Sequence, residues 1–329
     1  LYRESSEQEE TFWRLAQIPR VSGALVSISP TDGAIKALVG GYDFYLSKFN
    51  RVTQARRQPG SGFKAFIYSA ALEQGFTPAS LINDAPVVFD DPALEASWRP
   101  ENYSGKFFGP TRLRYALTHS RNLVSIRLLR KMGLQSTIKH ITHFGLKEEE
   151  LPHDLSLALG SGAITPLQMA EGYAVLANGG RHVTPYYIAQ LADDQDNILF
   201  QTNPEEVCDD DAVQHQNMPA ASIEDSAEAP LHCAPQVISK QNYYIMNSMM
   251  RDVIQYGTAR RALVLGRKDL AGKTGTTNDQ RDAWFNGFNH HLVAIAWVGF
   301  DDSEPLGRGE VGGKTALPAW IDYMRVALE

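Results

Sequence analysis

Arg57-Gln58-Pro59-Gly60-Ser61-Gly62-Phe63-Lys64 opens a stretch in which Phe63 to Gln74 carries helical spacing, and the Pro-Gly pair before Ser61 marks where a turn gives way to that helix. Ser61 and Lys64 then stand one turn apart on the same side of the helix start. Two further motifs follow in chain order: Ser120-Arg121-Asn122, then Lys273-Thr274-Gly275-Thr276. A second Ser-x-x-Lys, Ser136-Thr137-Ile138-Lys139, has no Ser-x-Asn after it, so only Ser61 heads the ordered set. Such an ordered triple belongs to serine acyl-transfer chemistry.

The chemistry explains the residue types. A serine hydroxyl is a poor nucleophile until a neighbour takes its proton, and Ser-x-x-Lys on a helix brings an amine within reach. Lysine is protonated at neutral pH, and lowering its pKa from roughly 10.4 to about 8 costs roughly 3 kcal/mol. Burial and a second positive charge supply such a shift. Lys273 is the candidate for that charge, and the helix start near Ser61 adds a positive potential. The reading makes Ser61 the nucleophile and Lys64 the general base. Ser120 relays a proton to the leaving nitrogen, and Asn122 hydrogen-bonds Lys64 and a substrate amide. Lys273, Thr274, Gly275 and Thr276 form an edge strand that reads a terminal carboxylate. The backbone N–H groups of Ser61 and Thr276 then make the oxyanion hole.

Taken singly, each motif has a plainer reading. Ser61 after Pro59-Gly60 suits a helix N-cap, Lys64 a solvated helix lysine, and Ser120-Arg121-Asn122 a polar turn between helices. Lys273-Thr274 and Lys314-Thr315 resemble the end of a phosphate loop, but the glycine such a loop needs five residues ahead of its Gly-Lys pair is replaced by Arg267 and Arg308. The order of the three motifs decides for chemistry.

Bulk properties narrow the class. The chain has 329 residues, 43% hydrophobic and 21% charged, an ordinary globular composition large enough for a sizeable core. Its formal charge of −7 and the lack of a basic stripe interleaved with aromatics argue against a nucleic-acid partner. No apolar run is long enough for a membrane span. The opening Leu1-Tyr2-Arg3-Glu4 and the closing Met324 to Glu329, which reads as an unfinished helix, suggest a piece of a longer chain. Cys208 and Cys233 flank a polar segment, where they either close a disulfide or stay as two thiols. His215 and His232 do not complete a zinc-finger spacing, and no metal or cofactor is expected.

Residues 1–20 read as a lead-in, with Glu4 to Ile18 compatible with a helix, and residues 21–329 as one domain. Ala24 to Ile28 and Ala34 to Val39 around Pro30-Thr31-Asp32-Gly33 read as an antiparallel hairpin. Leu113 to Ser120, Leu123 to Met132, Ser136 to Phe144 and Pro166 to Ala177 read as helices. Strands resume near Tyr187 to Ala192, a loop covers about 201–240, and a helix runs from Lys240 to Tyr256. Lys273 to Thr276, Ala283 to Phe288 and Leu292 to Phe300 read as strands, with a last helix from Pro318. The expected sheet parts are 21–58 and 186–329, with a helical part at about 59–185. The fold class is α+β, a sheet built from both ends of the chain around a helical insertion.

With these motifs the chain resembles the penicillin-binding proteins, specifically the transpeptidase domain of the bifunctional class A peptidoglycan synthases. Gly40-Gly41-Tyr42-Asp43-Phe44, Phe49-Asn50-Arg51, Arg57 to Ser61, Trp98 to Tyr103 and Arg281 to Phe285 carry the likeness beyond the motifs. The resemblance implies a five-stranded, mainly antiparallel sheet with helices on both faces and an all-helical subdomain. It implies a D,D-transpeptidase that cross-links stem peptides of lipid II-derived strands, with Ser61 acylated by β-lactams. The implied location is the extracytoplasmic face of a bacterial membrane, with an N-terminal anchor, a glycosyltransferase domain and partners in the cell-wall synthesis machinery lying outside this sequence. Hydrolysis as in a D,D-carboxypeptidase or β-lactamase, or a penicillin-sensing domain without turnover, uses the same motifs. No glutamate stands out as a second base, Glu171 being at an undecided place. Within the likeness, Trp98 to Tyr103 is expected to scaffold the cleft, with Trp98 or Tyr103 in its wall. Asp282 is expected to pair with a basic group. Gly62 and Ala65 depart from the family, which often has a bulkier or polar residue and a proline there.

Overall fold

The computed structural model describes residues 2–5, 11–14, 17–88, 98–208 and 232–329. Tyr2–Ser5 (β1) and Thr11–Arg14 (β2) pair as an antiparallel ribbon, so these two described segments are extended where a helix was expected. Thr11, Phe12 and Trp13 are β-branched or aromatic, and that preference outweighs the charged flanks.

The central sheet begins with Ser22–Ile28 (β3) and Ile35–Val39 (β4), joined as the expected hairpin. Its turn is closed by the Ser29 N–H bonding the Ala34 carbonyl at 2.9 Å and by Asp32 Oδ1 accepting from the Ala34 N–H at 3.1 Å. Gly33 takes φ +81°, and any side chain there would meet the Thr184 carbonyl.

The chain then leaves the sheet. A 3-10 turn, Gly60–Phe63, runs directly into Lys64–Glu73 (α1), whose residues are buried from Lys64 to Ala71. A helix apolar all round belongs at the centre of a core, and α1 sits there. Leu81–Asp84 (β5) pairs with Gly109–Arg112 (β6) in a small ribbon. Leu113–Thr118 (α2), Asn122–Met132 (α3), Leu134–Thr142 (α4) and Pro166–Ala177 (α5) follow within about two residues of the expected bounds. The start of α5 is set by a Thr165–Gln168 capping box with proline in the first turn.

The strand expected near Tyr187 to Ala192 is Gln190–Ala192 (β7), and it does not join the central sheet. It pairs with Ile198–Gln201 (β8) in a separate exposed ribbon, so the region after residue 186 is not sheet throughout. Cys208 and Cys233 are bonded, with their Cα atoms 5.4 Å apart. Residues 209–231 of the loop expected at 201–240 lie outside the described residues.

Lys240–Gln255 (α6) packs beside α1, and the chain re-enters the sheet through Ala271–Thr276 (β9), Asp282–Phe288 (β10) and Val293–Gly299 (β11). The order is β4-β3-β11-β10-β9, antiparallel at every step, with β9 at one edge. Gly312–Thr315 (α7) and Leu317–Ala327 (α8) end the described fold.

Strand alternation separates two cores, one on each face. Trp284, Phe288, Val293, Ile295 and Trp297 join Val26 and Ile28 under α1 and α5. Phe285, Ala294 and Ala296 face the other way, against Trp320, Ile321 and Met324 of α8. Buried on both sides, β10 is covered along its whole length. Asp282 takes the expected basic partner: its Oδ1 accepts from Arg57 Nε at 2.7 Å and from Trp297 Nε1 at 2.9 Å.

Candidate active site

Ser61 lies inside the 3-10 turn, where residues three apart eclipse, so Lys64 stands directly behind it. Neither the 3-10 turn nor α1 has a side-chain cap, so the N-cap reading of Ser61 does not apply. The solvated reading of Lys64 does not apply either, because its side chain is fully buried.

The three motifs converge around Ser120. Lys64 Nζ donates to Asn122 Oδ1 at 2.6 Å and to the Ser120 carbonyl at 2.9 Å, and approaches Ser120 Oγ at 3.4 Å. Lys273 Nζ donates to Ser120 Oγ at 2.9 Å and to the Thr274 carbonyl at 3.1 Å. Ser120 occupies the turn between α2 and α3 at φ +56°, an unusual conformation for a residue with a side chain. In that conformation both its carbonyl and its hydroxyl contact the lysines.

Two buried ammonium groups sharing one serine cannot both keep a proton cheaply. Burial holds Lys64 well below the usual lysine value, with the Lys273 charge as the next cause and Arg121 adding to it, while Asp84 opposes. Burial pushes Lys273 down to about 7.

The edge strand β9 lies against the 3-10 turn that carries Ser61 because two positions lack side chains. A Cβ on Gly60 would come within 2.5 Å of the Thr276 carbonyl oxygen, and one on Gly275 would run into the Pro59 carbonyl. Gly62 answers its departure from the family: the Asn286 amide fills the space where a side chain would go, and Tyr173 Oη donates to the Gly62 carbonyl at 2.7 Å. Ala65 is fully buried. Thr274 Oγ1 and Thr258 Oγ1 are 2.7 Å apart, and Thr276 Oγ1 accepts from the Gly312 N–H at 3.0 Å.

Ser61, Ser120, Asn122, Thr274 and Thr276 line one cleft of about 980 Å³. Trp98 and Tyr103 are in its wall, as expected. Glu171 bonds His182 Nε2 at 2.9 Å and does not line the cleft.

Residues that the motifs did not reveal hold this geometry. Asn102 Oδ1 accepts from the Asn122 N–H at 2.8 Å, while its amide donates to buried Asp84 at 2.7 Å and to the Lys106 carbonyl at 2.9 Å. The Asn122 amide in turn donates to the Glu101 carbonyl at 2.8 Å. Asn102 stood inside the segment Trp98 to Tyr103, but nothing in its spacing separates a positioning residue from loop scaffold. Thr258 carried no signal, since its role depends on a register across two distant elements.

Residues 23–302 match the family described as the penicillin binding protein transpeptidase domain. The chain belongs to that family. The domain is of the serine D,D-transpeptidase kind. A curated relative of the transpeptidase domain, penicillin-binding protein 1A of Pseudomonas aeruginosa, is 48% identical over 98% of this chain and 42% of its own length. The crystal structure of penicillin-binding protein 1A from Haemophilus influenzae superposes with a TM-score of 0.88 at 38% identity, covering 99% of this chain and 50% of that one. PonA1 from Mycobacterium tuberculosis in complex with penicillin V gives 0.75 at 26% identity, covering 95% and 79%. The chain thus spans about two fifths of the length of the curated relatives it matches. Among the described residues of the transpeptidase domain, no helix is long and apolar enough to cross a membrane.

Proposed function

We propose that Ser61 attacks the carbonyl between the two terminal D-alanines of a peptidoglycan stem peptide, and that an amine of a neighbouring stem then takes the acyl group. The observation that carries this reading is the meeting of Lys64, which follows Ser61 by three residues, with Asn122 and Lys273 at Ser120, while Ser61, Ser120 and Asn122 line the same cleft.

A neutral Lys64 amine has two hydrogens and one lone pair. The two shortest contacts, to Asn122 Oδ1 and the Ser120 carbonyl, use the hydrogens and leave the lone pair for the Ser61 proton. The Ser61 Oγ–carbonyl carbon bond forms, and the backbone N–H groups of Ser61 and Thr276 receive the negative charge on the carbonyl oxygen. The peptide C–N bond then breaks, with the proton reaching the leaving amine from Lys64 through the Ser120 hydroxyl. D-alanine departs with its carboxylate on the Lys273–Thr276 edge. The acceptor amine attacks the ester, gives up a proton along the same path, and Ser61 regains its hydrogen as the amide cross-link forms. A β-lactam enters at the first step, its ring amide taking the place of the peptide bond.

The proposed setting is the extracytoplasmic face of a bacterial membrane, the periplasm in a two-membrane cell. The Cys208–Cys233 bond supports it, because such bonds persist in oxidising compartments. Stem peptides on lipid II-derived strands are the proposed substrates.

Incubation with a fluorescent penicillin tests the nucleophile. The parent chain is expected to carry the label through denaturing electrophoresis and Ser61→Ala to carry none; equal labelling of Ser61→Ala would falsify the assignment. Product analysis with a stem pentapeptide and an acceptor amine separates transfer from hydrolysis, and release of hydrolysed donor alone would overturn transfer.

A further inference from the structure

Leu81–Asp84 (β5) alternates as a half-buried strand does, with Leu81 and Asn83 outward and Ile82 and Asp84 inward. A carboxylate thus takes a core position, with none of its side chain exposed, where aspartate is rarely found without a partner. Its two oxygens are placed differently. Oδ1 accepts from the Asn102 amide at 2.7 Å. Oδ2 faces Arg121 Nε at 4.0 Å, beyond hydrogen-bond reach, and among the described residues neither of these two atoms has a hydrogen-bond partner. Arg121 is itself held by the Phe108 ring, whose centroid lies 3.5 Å from the guanidinium carbon. Arg127 of α3 holds the end of the strand, donating to the Ala85 and Pro86 carbonyls at 3.1 and 2.9 Å.

From that carboxylate a chain of hydrogen bonds leads to the proposed base. Asn102 Oδ1 accepts from the Asn122 N–H at 2.8 Å, and Asn122 Oδ1 accepts from Lys64 Nζ at 2.6 Å. The charges acting on Lys64 come from three elements: Lys273 from β9, Asp84 from β5, and Arg121 from the turn between α2 and α3. Lys273 and Arg121 are positive, so among the described residues Asp84 supplies the negative charge. Tyr68, one turn along α1 and 3.3 Å from Ser125 Oγ, stays neutral, because burial pushes its hydroxyl up and the Asp84 charge adds to the push. When Ser61 attacks, its O–H bond breaks and the proton bonds to Lys64 Nζ, which leaves a buried ammonium beside Lys273. Burial and two cations alone would make Lys64 a poor acceptor, since a base works best with its pKa near the working pH.

We propose that Asp84 is the counter-charge for the ammonium formed on Lys64, a positioning residue acting through Asn102 and Asn122, with Arg121 as the partner that moderates it. The proposal rests on the acyl-transfer reading and adds a group that touches neither the nucleophile nor the substrate. Charge is the working property, whereas a merely structural Asp84 would serve by accepting the Asn102 bond. Asp84→Asn separates the two, because an amide oxygen keeps that bond and the side chain keeps its size while the charge goes.

The test is the pH profile of acylation by a fluorescent penicillin, followed by stopped flow. Losing the negative charge lowers the proton affinity of Lys64, so Asp84→Asn should move the acid limb to lower pH and reduce the plateau rate by about tenfold. Arg121→Met should move the limb the other way, to higher pH. An Asp84→Asn limb that stays in place while the rate falls shows a structural role alone and overturns the proposal, as does a move to higher pH. Should Asp84→Asn lack parent-like near-ultraviolet circular dichroism, Arg121→Met decides: a limb at the parent pH, or below it, overturns the pair. Labelling of Ser61 keeps the two readings apart. A parent that takes no label, or Ser61→Ala that labels equally, sinks the acyl-transfer reading, whereas normal labelling with unmoved limbs sinks only the role of Asp84.

Discussion

Lys273 acts on Lys64 across Ser120, and that action has a measurable sign. Its charge is among the causes that lower the Lys64 pKa, second to burial. Removing it with Lys273→Met lets that pKa rise. In the proposed mechanism acylation uses the neutral Lys64 amine, so the acid limb of the pH–rate profile should move to higher pH, on top of a lower maximal rate from loss of the proposed carboxylate contact. Stopped-flow acylation by a fluorescent penicillin between pH 5 and 9 measures both. A limb that stays in place or moves to lower pH would show that Lys273 does not tune Lys64. The same burial has a cost in stability. Because the folded pKa of Lys273 is about 7 against an ordinary 10.5, the unfolded chain binds more protons between those values, and stability from this group rises with pH across that window.

At the scale of elements, the proposed mechanism requires β9 to approach the 3-10 turn before α1 closely. That approach is set by backbone against backbone at Gly60 and Gly275, with no flexible side chain to absorb a change. In Gly275→Ala the new methyl would meet the Pro59 carbonyl and lie 2.9 Å from Trp284 Cβ, so the edge strand has to move away from Ser61. Thr276, one residue on, moves with it, and its N–H leaves the place proposed for the oxyanion. Loss of one such donor lowers a rate by about 10²–10³. The expected outcome is a chain with parent-like near-ultraviolet circular dichroism and penicillin acylation slower by about a hundredfold. Acylation at the parent rate would show that the β9 approach is not needed.

At the scale of the whole molecule, the Cys208–Cys233 bond lies away from the cleft, in a depression lined by Asn178, Arg181, Tyr243 and Tyr244. Closing a loop of 25 residues restricts the unfolded chain by roughly 3 kcal/mol. Reduction, or Cys208→Ser/Cys233→Ser, should lower the melting temperature by several degrees while leaving penicillin acylation at 25 °C close to that of the oxidised chain. Calorimetry and labelling check the two halves, and a parallel loss of acylation would mean that the bond also holds the cleft. Much of this molecule was legible in its residues. The Ser61, Ser120 and Lys273 motifs pointed to one kind of chemistry, and the hairpin around Asp32-Gly33, the helix from Pro166 to Ala177 and the strands at Ala283 and Leu292 followed from local pattern. Local pattern failed at Thr11–Arg14, inside the charged stretch expected to be helical, where β-branched and aromatic residues pair with Tyr2–Ser5 in a ribbon. It also failed near Tyr187, where a strand was read correctly but its partner, β8, lay outside the central sheet. Asn102 and Thr258 were invisible as positioning residues because their hydrogen bonds join segments that sequence order keeps apart. The sequence by itself determined the order of the reactive groups and the periodicity of the elements carrying them, since both are local properties of the chain. Only the tertiary structure decided that Lys64 and Lys273 are buried at one serine and that β9 touches the nucleophile turn, because burial and shared charge arise when distant segments exclude water together.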